Sequence, residues 1–102
     1  MTMTESAITA ATMQGIRIFR TIDALSPAER LARCCTIAPD FAIRDELVRG
    51  ETRRVARWGD RKHGLAGAAV PLDDGATAEA MDRLLVNACL MAMLLRLEGL
   101  TV

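Results

Sequence analysis

Aromatic side chains are nearly missing from this sequence: its 102 residues hold only Phe19, Phe41 and Trp58, and no Tyr. A core built around large rings is thereby excluded, and Ala, Leu, Ile, Val and Met must supply it. Histidine is down to His63, and serine to Ser6 and Ser26. That leaves no evident nucleophile–base pair for covalent catalysis and no ligand set for a metal. Lys62 is the sole Lys among 13 basic residues, the rest being Arg. Such a bias goes with a GC-rich coding genome and points to a bacterial source.

Net charge is missing as well. Thirteen bases balance thirteen acids, so overall polarity argues for neither a nucleic-acid nor a membrane-surface partner, and little repulsion opposes self-association. Long apolar runs are absent too: the longest, Leu84 to Leu95, is interrupted by Asn87, whereas a membrane span needs about 20 apolar residues. The first residues lack the basic and apolar regions of a secretory leader. Cys34, Cys35 and Cys89 are an odd set with two adjacent, unlike a secreted disulfide framework. Reduced, buried thiols in a cytoplasmic protein are the expectation. Adjacent Cys34 and Cys35 do not share one helix face, so metal binding is not expected, and neither is a cofactor. "GLAG" at 64–67 lacks the strand-before, helix-after setting of a phosphate loop.

What the sequence has is Ala, seventeen of them, and a distribution of apolar residues that reads as helical. A first helix over about 5–24 carries Ile8, Thr12, Ile16, Phe19 and Ile22 at spacings of three or four, with a strand at "GIRIFRTI" as the alternative. "SPAE" at 26–29 is a helix start, with Ser26 as N-cap, Pro27 at N1 and Glu29 closing a capping box; Leu31, Cys34, Cys35 and Ala38 face inward, and Pro39 ends the helix. A third helix is expected over 39–60, with Ile43, Leu47, Val48, Val55 and Trp58 as its stripe and Gly50 as a kink or close crossing. Residues 63–76 read as a long apolar connecting loop across the bundle, and residues 1–4 as disordered. A fourth helix runs from about Thr77 to Glu98, its start marked by Asp73, Asp74 and Glu79.

The fourth helix carries two apolar sets. Met81, Leu84, Leu85, Ala88, Met91, Ala92 and Leu95 form one face, while Val86, Leu90, Met93, Leu94 and Leu97 fill much of the rest. A helix apolar all round is buried all round, and three other helices have trouble covering it. The expectation is therefore a single all-α domain, a small bundle of three long helices and one short one, that dimerises through Val86, Leu90, Met93, Leu94 and Leu97. Asn87 either sets register across that interface or bonds a neighbouring segment.

One charged feature stands out. "RGETRRVARWGDRKHG" at 49–64 holds six basic and two acidic residues. On a helix, Arg53, Arg57 and Arg61 share a face, while Arg54 and Lys62 flank Trp58 within cation–π reach. The function expected is protein–protein interaction by a non-enzymatic homodimer acting as an adaptor, chaperone or regulator. The alternative is a nucleic-acid-binding regulator using Arg53, Arg54, Arg57, Arg61 and Lys62.

Overall fold

The computed structural model describes residues 5–60, 64–72 and 75–97, with side chains described from residue 12 onward. The expected disorder of residues 1–4 lies outside that range. Six elements follow in chain order: α1 (Glu5–Asp23), α2 (Pro27–Ile37), β1 (Ala42–Val48), β2 (Glu51–Asp60), β3 (Gly64–Pro71) and α3 (Ala78–Leu97). The all-α bundle is thus overturned. A three-stranded antiparallel sheet in the order β1-β2-β3 replaces the third helix and, over 64–71, the apolar loop.

The two-residue turn between β1 and β2 shows why. Val48 faces Glu51 in the register, so only Arg49 and Gly50 connect the strands. Both have positive φ, 51° and 82°, the combination a tight hairpin needs to match the twist of its strands. Gly50 is a turn residue, not a helix kink. β3 then pairs with β2 from Gly64 opposite Asp60 to Pro71 opposite Arg53. Gly67 is required there, since a Cβ on it would lie 2.9 Å from the Ala56 carbonyl oxygen.

The helices hold to their expected places. Ser26 Oγ accepts the Glu29 N–H at 3.2 Å, and Glu29 Oε1 accepts the Ser26 N–H at 3.1 Å. This reciprocal cap satisfies two amides at the start of α2. The backbone and side-chain bonds from Ser26 hold the Glu29 carboxyl below its ordinary range, with Arg33 adding to them. Cys34 and Ala38 are buried, but Leu31 and Cys35 point outward.

On α1 the stripe is rotated from the one expected. Ile18 and Ile22 enter the core, whereas Ile16 and Phe19 are exposed.

α3 is the hub. It contacts α1, α2, β2 and β3, so helices lie on one side of it and the sheet on another. Leu85, Cys89 and Leu90 are fully enclosed, with Val86 and Met93 nearly so. From the sheet side come Ala56 and Trp58 of β2, with Ala66, Ala68 and Val70 of β3. Their small size lets α3 lie close to the strands.

Two ion pairs pin α3 lengthwise along β2. Arg54 binds Asp82 with Nε at 2.8 Å and Nη2 at 3.3 Å, and Arg96 reaches Asp60 at 3.0 Å. From 54 to 60 a strand rises about 20 Å, and from 82 to 96 a helix rises about 21 Å. The matching lengths let both pairs form with α3 running alongside β2.

On the other side, Arg30 of α2 gives its Nε to the Ile22 and Leu25 carbonyls, each at 3.0 Å, and an Nη1 N–H to Asn87 Oδ1, also at 3.0 Å. One guanidinium thereby closes the end of α1 and ties it to α3. Asn87 is a bond between segments of this chain.

Candidate interaction surface

Of the residues expected at an interface on the last helix, Val86 is 6% exposed, Leu90 0% and Met93 3%. All three are covered by the chain's own elements. Leu94 is half-buried against the same core, and only Leu97, at the end of α3, stands in solvent. The physical reason is the sheet: β2 and β3 lie along one side of the helix while α1 and α2 cover another.

Leu84, 62% exposed, also stands outward on α3, and a further unpartnered apolar stripe lies on α1. Met13 is 63% exposed, Ile16 41% and Phe19 58%. Spaced three apart, they line one side of the helix, and a shallow depression there is bordered by Met13, Gln14, Ile16, Arg17, Arg20 and Thr21. α1 therefore carries two apolar stripes. Ile18 and Ile22 pack inward, with Leu25 just past the end of the helix beside them, and Met13, Ile16 and Phe19 face out. The spacing of Ile18, Ile22 and Leu25 is as regular as that of the stripe expected to be buried.

The arginines divide between the two faces of the sheet. Arg54 is on the inner face with Ile43, Ala56 and Trp58, bonded to Asp82 and, through Nη1 at 3.1 Å, to Asp45. Those acceptors raise its already high pKa further.

Arg53 and Arg57 are on the open outer face, as Arg44 is. Arg57 Nε meets Glu46 at 2.8 Å, Arg44 Nε lies 3.6 Å from the same carboxylate, and Arg53 Nη2 meets Glu51 at 3.1 Å. The Arg57 hydrogen bond, more than any other contact, holds the Glu46 carboxyl below its ordinary range. Arg53 Nε is sheltered from solvent with no acceptor among the described residues. Arg61 and Lys62 lie outside the described residues, as does His63. Trp58 is 4% exposed and meets Phe41, ring centres 6.2 Å apart, while Arg54 is directed to carboxylates rather than to the indole.

A cleft of about 910 Å³ opens between the end of α2, the β2–β3 end of the sheet and the end of α3. Ile37, Trp58 and Met93 give it an apolar lining, and Asp40, Asp60 and Arg96 its polar groups. Those groups have structural work. Asp40 Oδ2 accepts the Gly59 N–H at 2.7 Å, and Asp60 holds Arg96.

Burial pushes the Cys34 thiol up to about 11, with Cys35 adding to it, and the Cys89 thiol up to about 12, with Cys34 adding to it. Both are poor nucleophiles at neutral pH. Among the described residues no cluster of three His, Cys, Asp or Glu could hold a metal ion, and no helix is long and apolar enough to cross a membrane. No family model, curated protein or solved structure was found to match this chain.

Proposed function

We propose that this protein acts by binding another protein rather than by catalysis, as a homodimer, with the outer side of α1 as the docking face for its partner. The observation that carries this is the outward stripe of Met13, Ile16 and Phe19. Leaving such side chains in water forgoes about 1.5–3 kcal/mol each of burial that a partner could supply. Arg17 and Arg20 beside the stripe suit an amphipathic helix flanked by acidic residues. The cytoplasm is the compartment that goes with this reading, where three unbridged cysteines are usual. Pairing of Arg53 and Arg57 with carboxylates of their own sheet supports a protein partner over nucleic acid.

A photo-crosslinking residue placed at Phe19, with a control at exposed Arg33, tests the docking face in the source cell. A discrete protein adduct from position 19 and none from position 33 is expected. Adducts from both positions alike, or salt-dependent DNA binding lost on reversing the charges of Arg53 and Arg57, would overturn the proposal.

A further inference from the structure

We infer that β3 pairs antiparallel with β3 of a second copy across a two-fold axis, joining two three-stranded sheets into one continuous sheet. The inference rests on the homodimer proposed above and names its interface.

β3 is an edge strand. β2 pairs with one side of it, and no described element pairs with the other. Edge strands of monomeric proteins are commonly protected by charge, and an uncharged edge is a template for another strand. The two edges of this sheet differ in that respect. β1 reads AIRDELV, with Arg44, Asp45 and Glu46 at its centre. β3 reads GLAGAAVP and carries no charge at all. On its outer face stand Leu65, Gly67, Ala69 and Pro71, all exposed, with no long side chain to obstruct an incoming backbone. Leu65, at 71% exposure, is the one large apolar group there.

The chemistry favours a second copy as the occupant. An antiparallel self-pair sets neutral residues opposite neutral residues along the whole strand, with no charge left opposite an apolar group. It also closes at two chains, because a two-fold contact uses the same edge of both. Pairing β1 of one copy with β3 of the next would leave free edges at both ends and set Arg44, Asp45 and Glu46 against a strand with no complementary charge. Zero net charge imposes no long-range penalty on the approach.

Dipolar electron paramagnetic resonance on a singly labelled chain tests this, with continuous-wave line broadening reading the short distances and double electron–electron resonance the long ones. Exposed Cys35 is replaced by Ser, the enclosed Cys34 and Cys89 stay unlabelled, and Ala69→Cys carries the nitroxide; Leu65→Cys is a second site in case the first disturbs folding. Paired strands lie about 4.8 Å apart and each residue of stagger adds about 3.3 Å, so both labels should report a distance below about 20 Å. A label at Met13→Cys should report a longer one. A dimer with short distances at Met13 and long ones at Ala69 and Leu65 would overturn the β3 interface while leaving the homodimer standing. A monomer without dipolar coupling would overturn both.

Discussion

Leu90→Ala removes three carbon atoms from the most enclosed part of the molecule. Leu90 is 0% exposed and lies in the cluster with Leu85, Cys89 and Met93. Elements pack around α3 on several sides, so collapse into the vacated space is limited. The cost should be about 3 kcal/mol, lost transfer energy and cavity together. For a domain of this size that is a large part of a total of about 5–15 kcal/mol, and corresponds to a fall in melting temperature of about 12–24 °C. Leu97→Ala is the control: at 67% exposure it should change stability by less than about 0.5 kcal/mol. Thermal and urea unfolding by circular dichroism give both values, and light scattering should find the Leu90→Ala protein at the same mass as the parent. A Leu90→Ala protein of near-parental melting temperature that has become monomeric would refute the reasoning, because it would place Leu90 at the surface between copies.

Other predictions follow from single contacts. Arg54→Met breaks the bonds to Asp82 and Asp45 and should cost on the order of 1 kcal/mol at these partly exposed sites, measured by urea unfolding; no loss would mean that α3 is not pinned along β2. With Ellman's reagent at neutral pH, Cys35 should react at once, and Cys34 and Cys89 only in denaturant, since burial encloses both and raises their pKa to about 11 and about 12; rapid reaction of three thiols would contradict the burial. Glu46 is held below the ordinary carboxylate range by Arg57. Its contribution is therefore present above the unfolded-state value and is lost as pH falls through the lowered folded value. Glu46→Gln should flatten the acid side of the stability–pH curve, and an unchanged curve would show the ion pair to be without effect.

The helix starts and the sheet were unequally legible, for physical reasons. A capping box is a local device whose partners are three residues apart, so "SPAE" could be read without knowing the fold. The β1–β2 hairpin is just as local, but its turn disguises itself. Two positive φ angles usually call for Asn, Asp or Gly, and Arg49 stands at one of them. Without that signal, Ile43, Leu47, Val48, Val55 and Trp58 fit a helical period. The alternation that defines a strand was hidden because the outer face is charged and the inner face holds Arg54 and Asp45, a polar pair complete only across the sheet. β3 was hidden by its composition. Gly and Ala have little intrinsic preference for strands; they stand there because α3 and the neighbouring strand come close, which only the tertiary structure displays. Surplus apolar surface stands on both helices, Leu84 and Leu97 on α3 and Met13, Ile16 and Phe19 on α1, but Val86, Leu90 and Met93 are covered, since coverage depends on which elements surround a helix and not on the helix alone.

The direct test of the account is the mass of the intact protein in solution at tens of micromolar, by light scattering or sedimentation equilibrium. A chain of 11.1 kDa that associates as proposed should have about twice that mass and return to the single-chain value on dilution. A single-chain mass across the whole concentration range, with the fold intact, would contradict it.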